Sequence, residues 1–200
     1  DVLVCSTGLI GDQLDRPKLL AGVEAAAANL SADNGIQTAE AIMTTDSVSK
    51  TAARTSAAGW SVGGMAKGAG MLAPGLATML VVITTDAALP SDVLDATLRN
   101  ATRVTFDRLD SDGCMSTNDT VLMLANGHSG VSVGDKSPRE LRVLFAEAVW
   151  KACEVLADKI VSDGEKITKV VEVKVNGAAS ADDAEKVARA IGNSLLVKSS

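Results

Sequence analysis

Two hundred residues, 46% of them hydrophobic, suffice for one large domain or two small lobes around a real core. Aromatic residues make up only 2% and Tyr is absent, so that core must be packed from Ala, Val, Leu, Ile and Met. A net charge of −6, spread along the chain with no basic stripe, argues against nucleic acid and reads as solubility. Cys5, Cys114 and Cys153 are far apart and form no CxxC pair, which predicts free thiols in a reducing compartment, hence a cytoplasmic protein. No apolar run approaches roughly 18 residues, and there is no signal-peptide pattern, so no membrane partner is expected. The chain opens at Asp1 inside a strand-like run rather than at Met, as a processed product or a piece of something longer would.

In chain order, Val2 to Cys5 reads as a short strand closed by the polar turn STGLIG, 6–11. Pro17 marks a helix start, with Leu19, Leu20, Val23, Ala27 and Leu30 as its apolar positions. A second helix is expected from Asp33, carrying Ile36, Ala39 and Ile42. MTTDSVSKTAAR is polar and GWSVGGMAKGAGML is glycine-rich, and both read as strand edges and loops. The β-branched density from Thr78 to Thr85 predicts a buried strand. Pro90 and Ser91 then open a helix through Val93, Leu94, Leu98 and Ala101, and 116–127 is a strand with a polar entrance. The helix from 138 to about 160 should be capped by Ser137 and Glu140, with Leu141, Leu144, Phe145, Ala148, Ala152, Val155 and Leu156 as its buried stripe. Val171, Val173 and Val175 alternate with Glu172 and Lys174, the pattern of a sheet-surface strand. Ser180 with Asp183 caps a last helix carrying Ala184, Val187, Ala188 and Ile191. An α+β layered fold, sheet covered by helices, fits this order best; a doubly wound parallel sheet is the runner-up.

The chemistry available is narrow. His128 is the only histidine, the cysteines lack ligand spacing, and no G-x-S-x-G turn presents a serine, so neither a metal site nor a serine triad is expected. DRLDSDGCMSTND fails as a calcium loop because its first and twelfth positions would be Arg108 and Asp119. GGMAKGAGM matches neither phosphate-binding glycine pattern. A hydroxyl nucleophile without imidazole needs another base, and an N-terminal threonine carries one in its own α-amine. That amine titrates at about 7.7–8.0, close to the operating pH where general bases work best. In GLAT, 75–78, small residues would let the Ala77 carbonyl reach the Thr78 hydroxyl; a threonine opening a strand without chemistry is the plain alternative.

KGAGMLAPGLATML, 67–80, resembles the self-cleavage segment of the ornithine acetyltransferase family, the glutamate N-acetyltransferases of arginine biosynthesis. STGLIG (6–11), AIMTTDSVSK (41–50), STNDTVLMLANG (116–127), DGEKITK (163–169) and the terminal SLLVKSS follow in family order, so the similarity spans essentially the whole chain. The resemblance implies an N-terminal-nucleophile-like αββα sandwich. It implies cleavage between Ala77 and Thr78, making 1–77 the end of an α chain and 78–200 the start of a β chain. Together these form one catalytic core lacking both family termini. Thr78 is then the nucleophile in cleavage and in transfer of acetyl from N-acetylornithine to glutamate, Thr7 and Gly8 form the oxyanion hole, and Thr44, Lys67 and Glu165 bind substrate. The implied assembly is an associated αβ pair, doubled to a heterotetramer. No cofactor is implied beyond acetyl-CoA as an optional second acetyl donor. Asn118 and Asp119 are read as structural hydrogen-bonding residues, and Cys5 as a buried thiol. Gly75 and Leu76 stand where the family has polar residues, and Lys166 where it has glycine. A hydrolytic amidase or aminopeptidase of the same nucleophile class, and an inactive uncut fragment, are the competing readings.

Overall fold

The computed structural model describes residues 3–9, 11–73, 76–114 and 116–199. A four-stranded sheet organises it, built from β1 (Lys50–Thr55), β2 (Ser61–Lys67), β5 (Leu80–Thr85) and β6 (Thr120–Ala125), which lie side by side in that order. β1, β2 and β5 are antiparallel neighbours, and β5 and β6 run parallel. One parallel pair in a mostly antiparallel sheet gives a mixed α+β fold and rules out the doubly wound parallel runner-up. The short β3 (Leu72–Ala73) and β4 (Leu76–Ala77) pair with each other within the connection from β2 to β5.

Register decides which side chains meet the helices. Val62, Ala66, Val81, Ile83 and Met123 share one face, against α3 (Ser91–Arg103) and the long α4 (Arg139–Ser162). α4 buries Phe145, Val149, Ala152, Cys153, Leu156, Ala157 and Ile160 there. Trp60 meets Phe145 edge-on at 5.2 Å between ring centroids, a favoured aromatic geometry. Burial pushes the Cys153 thiol up to about 12, so it is an inert core residue. Gly64 makes the close approach possible, since a Cβ there would lie 2.7 Å from Ile83 Cδ1 and 3.1 Å from Leu156 Cδ1. The opposite sheet face is more open, with Thr84 and Leu124 exposed.

Several expectations need correction. GWSVGGMAKGAGML, read as strand edge and loop, supplies β2, an interior strand, and Gly64 within it lets α4 approach closely. The α4 stripe is rotated from the expected one, leaving Leu144 half exposed and burying Val149, Cys153 and Ile160. Pro138, not Ser137, is the N-cap of α4; the Ser137 hydroxyl instead donates to the Ser132 carbonyl and accepts from the Gly134 N–H. Residues 171–175 form no strand, because alternation needs a neighbouring strand to bond and none pairs with this segment among the described residues. Residues 3–9 likewise have no regular structure, and Val2 lies outside the described residues. The helices α1 (Arg16–Ala28), α2 (Gly35–Ala41) and α5 (Ala181–Gly192) form where expected; α1 and α5 bury none of their residues. Ser180 caps α5 by accepting from the Asp183 N–H. No helix among the described residues is long and apolar enough to cross a membrane.

Candidate functional site

The connection between β2 and β5 carries Lys67 at one end and Thr78 at the other. Thr78 stands two residues before β5, and its N–H donates to the Met71 carbonyl at 3.0 Å. Gly68, at φ +150°, passes so close that a Cβ on it would lie 3.2 Å from the Thr78 carbonyl oxygen. Only glycine is comfortable in that backbone region, so the residue after Lys67 can press against Thr78. Met71 holds a left-handed φ of +55°, an uncommon conformation for a side-chain-bearing residue. It is pinned there by Asp112, which accepts its N–H at 2.8 Å, while Ser111 exchanges two bonds with the Leu72 backbone. The short strands that end at Ala77 are thus fastened from outside the segment.

The Thr78 hydroxyl oxygen is buried and has no hydrogen-bond partner among the described residues. An unsatisfied buried hydroxyl costs about 1–3 kcal/mol and asks for a reason. On one side, Met79 donates its N–H to Asp119 at 3.1 Å. Burial pushes the Asp119 carboxyl up, a rise partly offset by the Met79 N–H and the Lys67 charge. Asn118 donates its side-chain N–H to the Ser6 carbonyl at 3.0 Å, tying the STG segment to the start of β6. Asn118 and Asp119 thus act as the structural hydrogen-bonding residues expected of them. Thr7 is half-buried on that tethered segment, and Gly8 is exposed with no heavy atom within 4 Å of its Cβ position. Cys5 is half-buried rather than buried.

On the other side lies an ionic cluster. Lys67 is 1% exposed, donates to the Thr44 hydroxyl at 2.6 Å and stands 3.7 Å from Asp46 Oδ2. Asp46, itself buried, also accepts the N–H groups of Thr44 and Gly68. Burial opposes ionisation of Asp46, but the bonds from Gly68, Lys50 and Thr44 outweigh it and hold the carboxyl below its usual range. Glu165 is exposed, donates its N–H to the Ala69 carbonyl at 2.6 Å, and lays its carboxylate against Gly70. Lys166, where glycine was expected, adopts a left-handed φ of +56°.

The fold therefore gathers Thr44, Lys67, Thr78 and Glu165 around one connection. His128 follows β6, at the opposite end of that strand from Asp119, and is exposed. Six residues of strand separate those ends by about 20 Å, which leaves the histidine outside the cluster. No group of His, Cys, Asp and Glu able to hold a metal occurs among the described residues. Sequence reading missed Asp46, Lys50, Asp163, Ser111 and Asp112. The signals available for the first two were the i, i+4 spacing of opposite charges and their place in AIMTTDSVSK.

A model of the ArgJ family matches residues 1–200. The chain is 57% identical over 198 residues to the arginine biosynthesis bifunctional protein ArgJ of Streptomyces coelicolor, covering 99% of this chain and 50% of that protein. The protein of the same name from Thermobifida fusca is 53% identical over 197 residues, covering 98% of this chain and 49% of its own length. Among solved structures, the arginine biosynthesis bifunctional protein ArgJ of Bacillus halodurans aligns with a TM-score of 0.53 and 40% identity, over 57% of this chain and 53% of that one. The chain spans about half the length of the curated relatives it matches.

Proposed function

The chain belongs to the ArgJ family, and from that premise we propose that it forms the catalytic core of a self-processing N-terminal-threonine acetyltransferase of arginine biosynthesis. The observation that carries the reading is the Thr78 hydroxyl: buried, unpartnered among the described residues, and beside a chain segment crowded from both sides. In the first reaction the Thr78 oxygen bonds to the Ala77 carbonyl carbon and the peptide C–N bond breaks. The hydroxyl proton ends on the departing nitrogen. That break frees the Thr78 α-amine; water then hydrolyses the resulting ester, releasing the Ala77 carboxylate and restoring the Thr78 hydroxyl.

That amine becomes the base the sequence otherwise lacks. It takes the hydroxyl proton as Thr78 attacks the acetyl carbonyl of N-acetylornithine. The proton passes to the leaving ornithine amine, and acetyl-Thr78 remains. Glutamate's amine attacks that ester, and N-acetylglutamate departs as the hydroxyl re-forms. Thr7 and Gly8 are the proposed donors to the tetrahedral oxyanion; one such donor is worth about 3 kcal/mol. Lys67 meets a substrate carboxylate, Thr44 orients it, and Glu165 meets an ammonium group. The relatives' names call them bifunctional, and acetyl-CoA as a second acetyl donor is the corresponding proposal for this chain. Closure into an αββα sandwich, and an αβ pair doubled to a heterotetramer, belong to the same reading.

Intact-mass analysis of the purified protein should give a break between Ala77 and Thr78. A single uncut mass, indistinguishable from that of Thr78→Ala, would overturn the processing step. Incubation with N-acetylornithine, with and without glutamate, then tests transfer: free acetate released equally fast in both would make the enzyme a hydrolase.

A further inference from the structure

Beneath Lys67 lies a second buried lysine that the proposed reaction does not use. Lys50 opens β1 and is 0% exposed. Its ammonium stands 2.6 Å from Asp46 Oδ1 and 2.5 Å from Asp163 Oδ2. Asp46 reaches forward to the Thr44 N–H, the Gly68 N–H and the Lys67 ammonium. Asp163 follows the end of α4, accepts both the N–H and the hydroxyl of Ser47, and sits two residues before Glu165.

One ammonium thus joins three segments that are far apart in sequence: 44–47, 67–70 and 163–165. Each carries one of the charged or polar groups assigned above to substrate. A methionine could fill much the same volume, and buried ion pairs are seldom more stabilising than such a replacement. What hydrocarbon lacks is direction. Only a cation with several N–H groups can hold two carboxylates apart at fixed places.

We infer that Lys50, acting through Asp46 and Asp163, is a positioning residue that sets the separation between the Lys67 ammonium and Glu165, and so tunes the site for an amino-acid substrate carrying both a carboxylate and an ammonium group. The cluster of two aspartates and two lysines is balanced. Remove Lys50, and Asp46 has only Lys67 as a cationic partner; the 3.7 Å pair closes, and Lys67 turns from Thr44 and the substrate carboxylate. At the same time Asp163 keeps only its bonds from Ser47, and Glu165 drifts from Ala69.

This rests on the reading of Lys67 and Glu165 as substrate-binding groups, so the test has one arm that depends on it and one that does not. In the first, Lys50→Met should raise KM for glutamate at least tenfold while kcat changes less than threefold, with cleavage before Thr78 still complete and Lys50→Arg recovering much of the KM. In the second, amide hydrogen exchange should show the Gly68 and Glu165 N–H groups losing protection together, at least tenfold, while Val149 in α4 is unchanged. Asp163→Asn, which keeps shape and removes charge, should reproduce both effects at smaller size and decides the matter if Lys50→Met does not fold. Unchanged KM, a loss falling wholly in kcat, or Glu165 protection that survives while Gly68 loosens would each overturn the positioning role. A wild-type protein that neither cuts itself nor transfers acetyl would sink the functional reading instead, leaving the exchange arm to judge the coupling.

Discussion

Under α4 the sheet is held by hydrocarbon: Phe145, Val149, Leu156 and Ile160 cover Val62, Val81 and Ile83, and many weak contacts share the load. Where β2 ends and β5 begins, backbone N–H groups are held instead by a handful of directional bonds to Asp46, Asp112 and Asp119, with Lys50 donating to Asp46 and Asp163 behind them. The first region tolerates change in proportion to the volume removed. The second should respond in geometry, and therefore in reaction rate, more than in stability. The Thr78 hydroxyl, buried without a partner among the described residues, stands in the second region.

The sharpest separation of the two regions comes from Thr78→Ala. It should abolish cleavage and transfer by several orders of magnitude, yet leave the urea midpoint unchanged or raise it, because a buried unsatisfied hydroxyl is removed. A large fall in midpoint would place Thr78 with the core residues. The converse is Phe145→Ala, which empties the space beside Trp60 and should cost about 3–5 kcal/mol by denaturant titration. Among the molecules still folded, the fraction cut before Thr78 should match wild type.

Acid offers a subtler contrast. The Asp46 and Asp163 carboxyls are held below their ordinary value of 3.8, burial being outweighed by bonds from Lys50 and from backbone N–H groups. Folded carboxyls that bind protons more weakly than unfolded ones add stability at neutral pH, and lose it as pH falls below about 4 through their folded values. Wild-type stability should therefore drop more steeply below pH 4 than that of Asp46→Asn; parallel curves would remove the network from the ledger. The smallest effect is expected at Lys166→Gly, which relieves a left-handed φ of +56° and should add about 0.5–1 kcal/mol, with little change in rate. A loss there would mean that the lysine side chain itself is used.

Much was legible in sequence where the deciding interaction is local. Ser180 bonds to Asp183 three residues away, and α5 starts where that pair says it should. α3 likewise opens at Ser91 directly after Pro90, though without a side-chain cap. Reading failed where a distant partner decides. The alternating valines from 171 to 175 carry a strand pattern, but pattern alone supplies no hydrogen-bonding neighbour. Glycines at 63 and 64 suggested a strand edge or loop; they lie in an interior strand, where Gly64 leaves room for Leu156, more than ninety residues later.

The site divides along the same line. Thr78, Ala77, Lys67 and Glu165 could be proposed from sequence because the chemistry of a self-activating threonine, and the motifs around it, are written in contiguous residues. Asp46, Lys50 and Asp163 were not, because a charge in sequence reads as a solvated charge until tertiary packing removes the water. Sequence by itself determined most helices, set by short-range hydrogen-bonding geometry, and its contiguous motifs pointed to the family. Only the tertiary structure decided that α4 would end beside β1, bringing the half-buried Asp163 to the buried Lys50. There, low dielectric makes a few ion–dipole contacts strong enough to fix where the site's charged groups stand.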